Sequence, residues 1–271
     1  AFTDEWREDA ARRDFTINAL SADPLTGELF DYFGGLDDLH AGRVRFIGDP
    51  LQRIAEDHLR IMRFFRFHER FGHGDPDPDA MSACVARAND LMALSRERIA
   101  DELLKLLGGA NPAPTIRLMF DNGIFRPIIP EIDRNGVDSL SRLVLREGQS
   151  GILPDGLRRL GALLPASPEI AVSIARRLKL SKAATRRLEL SASGDTGPAH
   201  RLAYRYGHEV ATDLLLRGDC DIESLDAAAL TALLYLSGGA TNPFVFLYPL
   251  QVILGAVLLR PRNTWTMVAI T

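Results

Sequence analysis

Residues 56–67 read Glu56-Asp57-His58-Leu59-Arg60-Ile61-Met62-Arg63-Phe64-Phe65-Arg66-Phe67, inside a stretch that opens at Asp49-Pro50. An aspartate can cap a helix, and proline suits its first turn. The spacing predicts one helix from Asp49 to about Phe71, stopped by Gly72 and Gly74. At about 100° per residue, Leu51, Ile54, Ile61, Met62 and Phe65 share one face. Arg53, Glu56, Asp57, Arg60, Arg63 and Arg66 occupy the other. The segment is an amphipathic helix with a densely charged side, and it marks where the chain turns helical.

Downstream, helical patterns recur at Met81–Leu94, Arg96–Leu107, Thr115–Asp121, Pro168–Leu178, Lys182–Ser191, Pro198–Leu216 and Leu225–Leu236. Gly, Pro and Ser between 127 and 155 suggest a linker. Upstream, the pattern is mixed. Asp14–Ala22 suits a short helix, Pro24–Gly27 a turn, Glu28–Phe33 a strand, Leu36–His40 a helical turn and Val44–Ile47 a second strand. The expected fold class is an α+β head remnant followed by a predominantly all-α neck, body and tail. Its boundaries fall at 1–48, 49–130 and 131–271.

The 271 residues are 46% hydrophobic and 25% charged, as in an ordinary globular protein. A net charge of −4 gives no global positive field, so nucleic-acid binding must come from local basic patches. Cys84 and Cys220 are too few for a disulfide framework or a zinc site, and a reducing cytoplasm is the simplest compartment. The run Phe244–Leu259 is nearly all apolar. It is shorter than the ~20 residues of a spanning helix and holds Pro249 and Gln251, so no membrane span is expected.

Two constellations carry chemistry. In Arg12-Arg13-Asp14-Phe15-Thr16-Ile17-Asn18-Ala19, adjacent guanidinium groups suit a polyphosphate. Asp14 and Asn18, four apart, can hold ribose hydroxyls from one face. In the second, Asp57 and Arg60 are three apart. A carboxylate accepts from an amino group and a guanidinium donates to ring nitrogens and carbonyls, so the pair can present a base-like edge. Arg63 and Arg66 extend that side and could neutralise phosphate. A charged surface turn and a solvated, salt-bridged helix face also account for these residues taken singly.

In tandem the two segments resemble signature motifs of the class II CCA-adding enzyme and bacterial poly(A) polymerase family. Between them, Phe30-Asp31-Tyr32-Phe33-Gly34-Gly35-Leu36-Asp37-Asp38-Leu39 is similar to that family's connector, and Glu97-Arg98-Ile99-Ala100-Asp101-Glu102-Leu103 to its next neck motif. The resemblance covers residues 4–130 well and the helices to about 236 loosely. It implies addition of C, C and A to the tRNA 3′ end from CTP and ATP, without a nucleic-acid template. It also implies nucleotide-binding roles for Arg12, Arg13, Asp14, Asn18, Asp57, Arg60, Arg63 and Arg66. Glu56, Arg98 and Glu102 become braces of the template helix. Poly(A) addition shares the motifs, and a non-catalytic RNA-binding fragment or a helical scaffold would carry them without transfer.

The family's head also holds a Gly-Gly-x-x-Arg-Asp segment and an Asp-x-Asp pair that binds two Mg²⁺ ions. Neither stands before Arg12, and Glu8, Asp9, Asp37 and Asp38 do not supply them. The expectation is a chain without its N-terminal piece, with no complete metal site and little catalysis alone. The apolar C-terminal run departs from the family's polar tail, and a frame change near residue 240 would explain it. Arg176, Arg177, Lys179, Lys182, Arg186 and Arg187 form the densest basic stretch, a candidate track for tRNA phosphates. His68 and His73 lack partners at metal-ligand spacing. Met62, Phe64, Phe65 and Phe67 read as packing residues. Nothing in these patterns sets an oligomeric state.

Overall fold

The computed structural model describes residues 6–218. The expected helix at 225–236, the apolar run at 244–259 and the suspected frame change lie outside them. Among the described residues thirteen α-helices follow one another with a single two-stranded sheet near the start. None of these helices is long and apolar enough to cross a membrane.

The first unit is short. Helix α1 (Trp6–Ala11) leads to Asp14. The helix expected over Asp14–Ala22 is instead a 3₁₀ turn at Thr16–Asn18, because Phe15 is extended. The Asn18 side chain makes that geometry self-consistent: its Oδ1 accepts from the Phe15 amide at 3.2 Å and its Nδ2 donates to Asp14 at 2.5 Å. Strands β1 (Ser21–Ala22) and β2 (Leu29–Phe30) pair antiparallel, so only two residues of the expected 28–33 strand are strand. The strand expected at Val44–Ile47 is a single bridge, Phe15 to Phe46. Helix α2 (Gly35–His40) starts where Asp31 receives the amides of Gly35 and Leu36 at 2.9 and 3.0 Å. Gly35 is required there, since a Cβ would sit 2.3 Å from the Thr16 carbonyl oxygen.

The long helix expected over 49–71 is two helices, α3 (Pro50–Glu56) and α4 (Arg60–Phe71). Asp49 caps the first by accepting from the Leu51 amide at 3.0 Å. Asp57 is extended and its carboxylate accepts the Leu59 amide at 3.1 Å, which ends one helix and begins the next. Helices α5 (Pro78–Ala86), α6 (Arg96–Leu107) and α7 (Ala113–Asp121) follow, with a 3₁₀ segment at Ala88–Ala93 in place of the second half of the helix expected at 81–94.

The expected linker at 127–155 is helical over most of its length. Helix α8 (Arg134–Gln149) has 16 residues, capped by Asp133 on the Gly136 amide. Helix α9 (Gly156–Leu163) is capped by Asp155. Helices α10 (Pro168–Arg177) and α11 (Lys182–Ser191) lie where the pattern put them. The last expected helix divides into α12 (Ala199–Tyr206) and α13 (His208–Arg217), because Gly207 takes φ +81°. One core runs from Phe15 and Phe46 through Phe64, Phe65, Leu103 and Ile129 to Leu188, so the short first unit is packed on the helices.

Candidate functional site: a charged seam on parallel helices

Two helices build the seam. Asp57, just before α4, meets Arg98 of α6; Arg63 and Arg66 meet Glu102; Glu69 meets the backbone at Asn111. Partners advance together along both chains, so α4 and α6 run parallel.

At the upper end, Asp57 Oδ2 accepts from Arg98 at 2.8 Å while Oδ1 holds the Leu59 amide. Arg60 is not bonded to Asp57. Its guanidinium donates to Glu56 at 2.5 Å and to the Arg53 carbonyl at 2.7 Å. The two residues expected to read a base are therefore held separately, Asp57 by Arg98 and Arg60 by Glu56, both of them expected braces. Capacity remains on both: a carboxylate has about four acceptor sites, and a guanidinium five donors.

Arg63 is where the first unit meets the helices. Its Nε donates to Asp14 Oδ2, and Nη2 reaches Oδ1 at 3.4 Å. Asp14 is buried. Burial pushes its carboxyl up, but the bonds from Arg63 and Asn18 outweigh that and hold it below the ordinary value. On Arg63, desolvation favours the neutral form, and Asp14, Glu102 and Asp57 more than reverse it, so its pKa is raised. Arg66 donates to the buried Glu102 at 2.6 Å and lies over the Phe67 ring, 4.8 Å from its centre. Arg63 lies over the same ring at 5.6 Å. Phe67 thus packs against the core and also carries the seam's two arginines.

Arg12 and Arg13 stand apart from that seam, both on Asp9, with more than half of each side chain exposed. The two guanidinium groups hold the half-buried Asp9 carboxyl below its usual range.

Sequence reasoning missed three supports. Arg53 donates to the backbone carbonyl of Arg13 and reaches that of Ala11 at 3.4 Å, tying α3 to the Arg12–Asp14 segment. Asp38 is fully buried under the same segment, accepting from Thr16 at 2.6 Å, Arg43 at 2.8 Å and Arg45 at 3.0 Å. The Asp37-Asp38 and Arg43-x-Arg45 pairs flanking Gly42 were the available signal. Arg159, nearly unexposed, joins Glu147 to the carbonyls of Leu107 and Gly109 at the end of α6.

The basic stretch does not act as one surface. Arg177 is paired with Glu131 through two bonds of 3.0 and 2.6 Å. Arg187 is mostly buried between Asp213, at 2.8 Å, and Asp155, at 3.0 Å. Lys179 pairs with Glu97 and Arg186 with Glu189 at exposed positions. Arg176 and Lys182 are exposed without an ion pair among the described residues.

Comparison with known proteins bears on both units. Residues 1–45 match the poly(A) polymerase head domain, and residues 75–135 match a domain described as a probable RNA and SrmB-binding site of polymerase A. These segments are similar to those of CCA-adding enzymes and poly(A) polymerases. It is 46% identical over 122 residues to the human mitochondrial CCA tRNA nucleotidyltransferase 1, covering 44% of this chain and 28% of that one. To the poly(A) polymerase I of Haemophilus influenzae it is 39% identical over 125 residues, covering 46% and 27%. The chain thus spans a little over a quarter of the length of these two relatives. The crystal structure of the Bacillus stearothermophilus CCA-adding enzyme in complex with CTP superposes with a TM-score of 0.66 at 22% identity, over 95% of this chain and 71% of that one. That likeness supports the expected α+β head segment followed by helices.

Proposed function

We propose that this chain provides the nucleotide-selecting and RNA-holding part of a nucleotidyltransferase that adds CMP and AMP, from CTP and ATP, to the 3′ end of tRNA. The observation that carries the reading is the separate bracing of Asp57 and Arg60, by Arg98 and Glu56, at the start of α4. A carboxylate held in place accepts from the exocyclic amine of cytosine or adenine. The same carboxylate opposes the carbonyl oxygen that uracil and guanine carry at that position. Arg60 donates to a ring nitrogen or carbonyl beside it. The preference for C and A over U and G follows from one acid and one base held in register.

The remaining residues have narrower tasks in this reading. Arg12 and Arg13, largely exposed, meet the triphosphate. Asn18 and Asp14 face the ribose, and Asp14 also orients Arg63. Arg63 and Arg66 neutralise phosphate charge, with Phe67 beneath them. Arg176, Lys179, Lys182 and Arg186 remain exposed enough to follow tRNA phosphates, whereas Arg177 and Arg187 serve chiefly their carboxylate partners.

The resemblance implies Mg²⁺ for the family's transfer chemistry. The described acids do not suit it: Asp9, Asp14 and Asp57 are each engaged by guanidinium groups. No group of three or more His, Cys, Asp or Glu among the described residues could hold a metal ion. A reducing compartment such as the cytoplasm suits the buried free thiol of Cys84.

Poly(A) addition is the second reading, favoured by the Haemophilus influenzae relative. The test measures binding of CTP, ATP, GTP and UTP to the chain with a tRNA that lacks CCA. A preference for CTP and ATP supports nucleotide selection of the CCA type, and a preference for ATP alone supports the poly(A) reading. Asp57→Ala and Arg60→Ala should each erode discrimination by roughly 5- to 100-fold, the worth of a bidentate base contact. Unchanged preference in both variants would sink the assignment.

A further inference from the structure

The parallel helices carry a second feature beyond the seam. Arg66, Glu69 and Arg70 of α4, Lys105 of α6 and the backbone at Gly108–Ala110 enclose an open cleft of about 530 Å³. Arg63 to Arg70 is seven residues, so the cleft lies about 10 Å along α4 from the Asp14 contact at 1.5 Å per residue. Three cations face one carboxylate, Glu69, which accepts the Asn111 amide at 3.1 Å.

The end of a helix normally presents carbonyl oxygens that repel an anion. Here two of the carbonyls at that end are engaged by a buried guanidinium. The buried Arg159 takes the Leu107 carbonyl at 2.7 Å and the Gly109 carbonyl at 2.5 Å. Arg66 donates to Glu102 and belongs to the seam already described. Arg70 is exposed and has no ion-pair partner among the described residues, stacking only on Phe71 at 5.3 Å. Lys105 lies 3.8 Å from the buried Glu102 and bonds Asp101 at 2.6 Å, and in that nearer pair both side chains are more than half exposed. Such a pair is worth about 0–1 kcal/mol and exchanges readily for a better anion. Lys105 and Gly108–Ala110 also fall inside the segment matched by the RNA-binding domain, whereas Arg70 lies outside it.

We propose that this cleft is a phosphate site that holds a backbone phosphodiester of the RNA strand being extended, gripped by Arg70 and Lys105. The inference rests on the nucleotidyltransferase reading above and adds a contact to the primer strand. One rigid helix would then carry the nucleotide-facing residues at one end and the primer clamp at the other.

Binding of a tRNA acceptor-stem minihelix lacking CCA is measured for the full chain at several salt concentrations, with CTP binding measured separately. For Arg70→Gln/Lys105→Gln the expectation is a fall in RNA affinity of roughly 5-fold near 0.1 M salt. The slope of log affinity against log salt should shrink by about 0.7, the value for one single-strand phosphate no longer neutralised. CTP affinity should hold. Asp101→Asn, which removes the nearer of the two acids on Lys105, should strengthen RNA binding, a gain that damage to the fold does not produce. RNA affinity and slope unchanged in the double variant overturn the site. A loss of CTP affinity with RNA binding intact assigns the cleft to a nucleotide's triphosphate instead and also overturns it. Absence of RNA binding by the unaltered chain, even at low salt, refutes the nucleotidyltransferase reading and this one together, whereas failure of the variants alone leaves that reading standing.

Discussion

Replacing Arg63 with methionine severs the tie between the first unit and α4. Asp14 is 6% exposed and accepts twice from Arg63 and once from Asn18. Removing one partner of a buried ion pair costs about 3–5 kcal/mol, because the other charge stays behind. Arg63 is 30% exposed and Asn18 keeps its bond, so the lower end, about 3 kcal/mol, applies at pH 7. The pH dependence has a definite sign. In the unaltered chain the Asp14 pKa is lowered, so its contribution is present above the unfolded value near 3.9 and fades as pH falls through the folded one. Without Arg63, burial dominates and raises the folded pKa. The stranded charge then destabilises most at neutral pH, and protonation relieves it as pH falls. Urea unfolding of Arg63→Met, Asp14→Asn and the double variant at pH 7 and pH 4.5 reads all of this. The gap between Arg63→Met and the unaltered chain should narrow on acidification, and the double-variant cycle should give a coupling of about 2 kcal/mol. A gap below about 0.5 kcal/mol at pH 7, or one that does not change with pH, would refute the reasoning.

Arg159→Met should destabilise by about 3–5 kcal/mol in the same assay, since Glu147 and the carbonyls of Leu107 and Gly109 lose a buried donor; a loss under 1 kcal/mol would contradict that. Gly35→Ala forces a Cβ to 2.3 Å from the Thr16 carbonyl oxygen and should lower stability well beyond Gly27→Ala. At Gly27, φ is +73° and space is open, so about 1 kcal/mol is expected, and equal melting temperatures would count against the contact. Arg187→Glu should destabilise the chain by at least 2 kcal/mol, placing a third acid beside Asp213 and Asp155, while Arg186→Glu should change stability by less than about 0.5 kcal/mol. Cys84 should resist a thiol reagent in the folded chain and react on unfolding, because burial pushes its thiol pKa up; rapid labelling of the native protein would disagree.

The helix starts were legible because their caps are local. Asp49, Ser167 and Ser181 each accept an amide two or three residues on. The break at Asp57 was not, since Ile54, Ile61 and Met62 keep the apolar period across it and the interruption comes from one carboxylate choosing the Leu59 amide. Gly136 helped make α8 look like a linker. It is there because the Leu163 carbonyl oxygen lies 2.1 Å from where its Cβ would be, a contact made across 27 residues and invisible to local composition. In the site, the tandem motifs gathered the relevant residues, but not their pairings. Glu131 and Asp213 claim Arg177 and Arg187 from 46 and 26 residues away, which no helix-surface argument could anticipate.

The parallel rungs of α4 and α6 also act as a key. Sliding α6 by one turn, about 5.4 Å, would set Glu102 against Asp57 in one direction and Arg98 against Arg63 in the other. Either misalignment faces like charge with like, so only one offset satisfies every rung. The spacing between the residues offered to a base and those lining the cleft is therefore set by axial register, as on a ruler whose scale cannot slip.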